Sequence, residues 1–137
     1  MWKYVQSTGD LFHNSKYVET GYSGAKPDGK NNPAKECERN VGPIPRGGYD
    51  IADPIAKPTP VSLPLTADSP NYCNPPRSGF LVHGDNSTST ASTGCIIVSR
   101  RTREQMRDSG DKRLTVVTNS TLVASLKRRK YAAPSDF

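Results

Sequence analysis

Two residue types that together perform acyl transfer lie twelve positions apart in the stretch FLVHGDNSTSTASTGCIIV, Phe80 to Val98. An apolar run ends in His83. A polar loop of small residues follows, closes on Ser92-Thr93-Gly94-Cys95, and leads Cys95 into a second apolar run. A thiolate is a strong nucleophile and an imidazole is its usual base. With the imidazole holding the thiol proton, sulfur can attack an amide carbonyl. The imidazolium then protonates the departing amine, and a thioester remains for water or a second amine. The tetrahedral intermediate needs fixed donors for its negative oxygen. The small residues Ser92, Thr93 and Gly94 allow close backbone approach, so the N–H groups near Gly94 and Cys95 are the expected oxyanion donors. The competing reading is structural: a buried strand cysteine and a satisfied core histidine.

Such a pair needs strands to carry it. Trp2 to Gln6, Leu11 to His13 and Lys16 to Thr20 have strand residue types separated by turn residues. Tyr49 to Ala52, Val61 to Leu65, Phe80 to His83, Cys95 to Val98 and Leu114 to Val117 read as further extended segments. Ser99 is placed to cap a helix over Arg100 to Asp108 that Gly110 stops. Leu122 to Leu126 is a short helix or strand. Gly21 to Pro45 and Asp53 to Ser78 read as long loops, the second with five prolines between Pro54 and Pro70; loops of this length usually serve function. The expectation is a mainly β domain of five to seven short strands and one helix. His13, beside a turn, is expected to be an exposed hairpin imidazole.

The 137 residues fit one domain, 1–137, with a core over about 2–117 and a C-terminal extension over 118–137. Hydrophobic residues make up 33%, so the core is small, and 12 Pro with 11 Gly favour strands and loops over a helical bundle. The net charge of +6 suits anionic partners. The densest basic cluster, Lys127 to Lys130, reads as a solvated tail without the interleaved aromatics of a single-strand binder, so nucleic acid is not an expected partner. No apolar stretch reaches the length of a membrane span, and the N-terminus lacks the apolar core of a signal peptide. Cys37 and Cys73 fall in loops. They form a disulfide stapling two long loops and leave Cys95 free, or all three are thiols in a reducing compartment. A zinc site is disfavoured, since no Cys-x-x-Cys pair exists and His13 is the only other imidazole.

The motif His83-Gly84, a loop and Ser92-Thr93-Gly94-Cys95-Ile96 resembles the active-site signature of L,D-transpeptidases with a YkuD-like catalytic domain. Upstream, Gln6-Ser7-Thr8-Gly9, Gly21-Tyr22-Ser23-Gly24, Asn31-Asn32-Pro33, Gly42-Pro43-Ile44-Pro45-x-Gly47 and Phe80-x-x-His83-Gly84-Asp85 resemble a narrower group, the type VI secretion L,D-transpeptidase effectors. The resemblance spans about residues 2 to 117. It implies a YkuD-like β-sandwich or barrel with one short helix after the catalytic cysteine and long loops. It implies a cysteine L,D-carboxypeptidase or L,D-transpeptidase that attacks tetrapeptide stems of peptidoglycan and releases or exchanges the terminal D-Ala. Cys95 would be the nucleophile and His83 its base, with Ser92 and Gly94 shaping the nucleophile loop. No metal or organic cofactor is implied. The setting implied is antibacterial: a monomer carried by secretion machinery, without a signal peptide, into a target cell's periplasm and met by an immunity protein.

One departure is Ile97, where the larger class carries Arg or Asn two residues after the cysteine; Arg100, Arg101 or Arg103 fills that role, or it is absent. The short Ser/Thr-rich spacer tilts towards trimming or exchange rather than cross-linking. Tyr22, Ser23, Gly84, Asp85 and Asn86 are further substrate-side candidates, weighed against ordinary turn chemistry. Arg46 and Arg77 could pair with stem carboxylates, although surface solvation is the expected role of both. The alternatives in other classes are a non-catalytic wall-binding module and a basic nucleic-acid-binding domain.

Overall fold

The computed structural model describes residues 1–119. The proposed element at Leu122 to Leu126, the basic cluster at Lys127 to Lys130 and nearly all of the C-terminal extension lie outside them. The chain forms β1 (Trp2–Val5), β2 (Asp10–His13), β3 (Lys16–Thr20), β4 (Tyr22–Ser23), β5 (Gly47–Ile51), β6 (Leu63–Ala67), β7 (Phe80–His83), β8 (Ile96–Ile97), α1 (Arg100–Asp108) and β9 (Arg113–Val117). One short 3₁₀ turn, Pro33–Lys35, interrupts the first long loop. The mainly β expectation holds, but nine strands form rather than five to seven. The two-residue β4 lies in a Gly-flanked segment that reads as a loop. The sixth strand starts later than Val61, because Val61 takes a left-handed φ of 61° and turns the chain.

All nine strands form a single sheet in the order β3-β2-β1-β9-β5-β6-β7-β8-β4. Its two edge strands, β3 and β4, are separated in sequence by Gly21 alone, so the sheet curls until its edges nearly meet, as in a barrel. Gly21 makes that approach possible. Its N–H donates to the Gly9 carbonyl, and a Cβ there would lie 1.9 Å from the carbonyl oxygen of Ile97. Alternate residues of the central strands face inward: Leu114 and Val116, Tyr49 and Ile51, Leu63 and Leu65, Phe80 and Val82. Trp2, Tyr4 and Met106 of α1 complete the core.

The β2–β3 hairpin turns through Asn14 and Ser15, both at positive φ, as a two-residue loop requires. His13 is not an exposed hairpin imidazole. The β1–β2 register sets it opposite Trp2, where the two rings stack at 4.0 Å, and its Nε2 lies 2.9 Å from Asp111 Oδ2. Ser99 caps α1 as expected, its side chain accepting from the Thr102 N–H. No helix among the described residues is long and apolar enough to cross a membrane.

Cys37 and Cys73 are joined in a disulfide across a sequence separation of 36. It ties the first long loop to the second, and Cys95 is left as a free thiol. Closing a loop of this size removes unfolded-chain entropy worth about 3–4 kcal/mol. The double variant Cys37→Ser/Cys73→Ser is therefore expected to lose stability of that order, read as a lower urea midpoint with a steeper slope, since the unlinked chain unfolds to a more expanded state.

Candidate active site

The twelve-residue spacing between His83 and Cys95 has a topological cause. β7 and β8 are parallel neighbours, in the register Val82↔Ile96 and His83↔Ile97. A parallel pair needs a crossover of about a dozen residues, and the loop 84–95 provides it. One step back in that register, Cys95 lies opposite Leu81. Phe80, Val82, Ile96 and Val98 belong to the core, so Leu81, His83 and Cys95 share the other face of the sheet. His83 and Cys95 are diagonal neighbours there, with Cα atoms about 8 Å apart by strand spacing and rise. The two side chains make no direct hydrogen bond with each other, and at that separation one bridging water can link them.

Each of the two side chains is set by backbone groups. His83 is buried, and its Nδ1 lies 2.8 Å from the Gly84 carbonyl oxygen. A carbonyl only accepts, so Nδ1 carries the proton and Nε2 is the basic nitrogen of the neutral ring. The Cys95 sulfur accepts from the Leu81 N–H at 3.3 Å. Burial pushes the thiol above its ordinary pKa, while this N–H and the positive charge of Arg77 pull it back down.

The loop that presents Cys95 is braced from several sides. Ser92 Oγ accepts from the N–H groups of Gly24 and Gly94 and donates to the Cys95 carbonyl at 2.5 Å. Ser23 is fully buried; its hydroxyl donates to the Gly94 carbonyl and accepts from the Ile44 N–H. The Tyr22 hydroxyl donates to Asp85 at 2.6 Å and accepts from the Ala91 N–H. Burial first and the Asp85 bond second push Tyr22 up to about 12, so it stays a donor. Through Tyr22, the segment after His83 is tied to the segment before Cys95. Asn86 caps the exposed loop tip, accepting from the N–H groups of Thr88 and Thr90. The hydroxyls of Tyr22 and Ser23 and the Asn86 side chain are thus engaged within the protein. The Gly84 N–H donates to Thr59 Oγ1, and Gly84 packs under the Arg103 guanidinium, which a Cβ would meet at 2.9 Å.

Arg77 departs from its expected surface role. Its Nη1 donates to the carbonyls of Glu36 and Pro43 and its Nη2 to that of Thr93, while the guanidinium lies over the Phe80 ring. It fits because Gly94 has no side chain: a Cβ there would lie 2.6 Å from Arg77 Nη2. Glu36 anchors the far end. Burial opposes its ionisation, but hydrogen bonds from Tyr72, the Arg46 N–H and Gln6 outweigh that and hold it below the usual carboxylate range. Arg46, also expected to be merely solvated, pairs with Glu36 and lies over the Tyr72 ring.

Arg77 is the cation beside Cys95. Ile97 is buried. Arg100 pairs with Glu104 on the exposed face of α1, whereas Arg103 is buried beside the residue that follows His83. Sequence reading cannot find the Arg77 clamp because its partners come from two other loops, far from it in the chain. A cleft of about 470 Å³ opens here, with Cys95, Thr93, Arg77 and Cys37 in its wall.

A family model described as the Tlde1 domain matches residues 18–121. No curated protein and no solved structure matches the chain.

Removing the Arg77 charge is expected to raise the apparent pKa of the Cys95 thiol. Rates of iodoacetamide alkylation against pH should shift to higher pH in Arg77→Gln and less in Arg77→Lys. Coincident profiles for all three proteins would show that Arg77 only braces the loop.

Proposed function

Because the chain belongs to the Tlde1 domain family, which suggests a type VI secretion effector, we propose that it is a peptidoglycan-directed cysteine acyltransferase. In this reading it is an L,D-carboxypeptidase or L,D-transpeptidase that attacks tetrapeptide stems and releases or exchanges the terminal D-Ala. The observation that carries the proposal is the placement of His83 and Cys95 on one face of adjacent parallel strands, with a backbone N–H already on the sulfur.

In the proposed reaction, His83 Nε2 takes the proton from Cys95 Sγ, and the thiolate attacks the carbonyl before the terminal D-Ala. The Cys95 N–H is the oxyanion donor we assign, because the Gly94 N–H is held by Ser92 Oγ. The C–N bond breaks as the imidazolium passes its proton to the amine of D-Ala, leaving an acyl thioester on Cys95. Water, deprotonated by His83, hydrolyses the thioester and gives the shortened stem. A D-amino acid amine in its place gives exchange. The effector assignment adds a place of action, the periplasm of a target cell, and an immunity protein as partner.

Incubation with purified disaccharide-tetrapeptide followed by mass analysis tests the reading. Loss or replacement of D-Ala is expected with the natural chain. A reduction of at least about a thousandfold is expected in Cys95→Ala and His83→Ala, the scale of removing a nucleophile or its base. Turnover persisting in Cys95→Ala would end the proposal. Binding to sacculi without any product would favour a wall-binding module.

A further inference from the structure

His83 is followed by a glycine, and the surroundings of Gly84 are closed. The peptide joining the two residues is held at both of its polar groups. The His83 carbonyl accepts from the Val98 N–H, and the Gly84 N–H donates to Thr59 Oγ1 at 2.8 Å. The Arg103 guanidinium lies over the Gly84 Cα, where a Cβ would come within 2.9 Å of Nη1, 3.1 Å of Nη2 and 3.2 Å of Thr59 Oγ1. On the far side of Gly84, Asp85 is fixed by the Tyr22 hydroxyl. A glycine backbone turns freely unless its neighbours prevent it. These neighbours keep the Gly84 carbonyl on His83 Nδ1, 2.8 Å away.

Stability does not account for Arg103. It is 4% exposed, yet among the described residues it makes no ion pair, and its Nε has no hydrogen-bond partner. Its side chain makes one hydrogen bond, a long one of 3.5 Å from Nη1 to Thr59 Oγ1. A buried cation without a carboxylate is destabilising, and an apolar side chain of similar length would avoid that penalty. Thr59, in turn, stands in a stiff segment. It lies between Pro58 and Pro60, its N–H donates to Ser62 Oγ, and the hydroxyl of the fully buried Ser62 donates back to its carbonyl at 2.6 Å. The stretch 53–78 thus serves both residues of the site. Arg77 braces the loop before Cys95, and Thr59 holds the peptide after His83.

Resting on the proposed reaction, we infer that Thr59 and Arg103 are positioning residues for its base. They hold the Gly84 carbonyl so that His83 keeps its proton on Nδ1 and offers Nε2 to the thiol. Thr59 acts by accepting from the Gly84 N–H. Arg103 acts by packing over the glycine and by donating to Thr59 Oγ1, which sets that hydroxyl as an acceptor. Both act through Gly84.

The test reads the ring directly. Long-range proton–nitrogen NMR spectra of the full chain, in alkaline buffer where imidazole is neutral, show which nitrogen of His83 carries the proton. His13→Gln tells the two histidines apart. The natural chain is expected to show Nδ1–H alone. Thr59→Val and Arg103→Met should each give mixed tautomers, and Thr59→Ser, which keeps the acceptor, should restore the natural spectrum. Thr59→Val and Arg103→Met should also lower kcat for D-Ala release by at least about tenfold, the scale of a slightly misplaced reacting group, with KM within about twofold. Arg103→Met should melt no lower than the natural chain, because it removes an unpaired buried charge. A ring that is not Nδ1–H in the natural chain, a natural spectrum in Thr59→Val or in Arg103→Met, or a Thr59→Ser spectrum like that of Thr59→Val would overturn the inference. A changed tautomer with kcat unchanged, or a loss that falls on KM, would also overturn it. Mixed tautomers in the variants, with no D-Ala released even by the natural chain, would keep the hold on His83 and end the proposed reaction. D-Ala release that Thr59→Val and Arg103→Met leave unchanged would keep the reaction and end the positioning role.

Discussion

Two strands that run side by side in the same direction cannot be joined by a tight turn, and the site depends on that constraint. The β7–β8 pairing obliges the chain to leave the sheet after His83, cross over and return at Cys95. The same register fixes the face on which each side chain lies. A one-residue slip would send Cys95 into the core and Ile96 out of it, so burial of Ile96 and Val98 defends the placement of the thiol. The barrel-like closure supports this register from the far side. The short β4 pairs with β8, and Gly21 lets β3 and β4 follow one another at the closing edges.

A crossover loop without its own secondary structure must satisfy its backbone groups in other ways. Here side chains do so: buried Ser92 from within the loop, buried Ser23 and Tyr22 from β4, and half-buried Arg77 from the second long loop. The polar groups around Cys95 are mostly committed to one another, which fixes the position of its thiol. The disulfide and the Glu36 cluster extend the same bracing outward. Because Arg77 bonds to the carbonyls of both Glu36 and Thr93, the first long loop, the second long loop and the β7–β8 crossover loop form one connected wall.

What was legible in the sequence was local. The apolar runs around His83 and Cys95, the Ser99 cap with its helix, and the Asn14-Ser15 turn depend on neighbours in the chain, and each appears where its residues put it. The loop cysteines allow either a disulfide or free thiols, and the structure joins them. What could not be read depends on partners far away in sequence. Tyr22-Ser23 looks like a turn until β8 pairs with it. Arg77 looks like a surface charge until two other loops converge on it. Arg103 looks like one exposed residue of an α1 face until the helix docks with it inward against Gly84. The resemblance to wall-modifying enzymes singles out His83 and Cys95, and the family match covers the segment that carries both residues.

Formation of a thioester on Cys95 is the step on which the whole functional reading turns. Its most direct measurement is the intact mass of the chain, acid-quenched within the first turnovers on a tetrapeptide stem, followed by peptide mapping. The chain should gain the mass of the stem lacking its D-Ala, the added mass should map to Cys95, and neutral hydroxylamine should remove it. D-Ala released while Cys95 stays unmodified at every quench time, or the same adduct mapped to another residue, would contradict it.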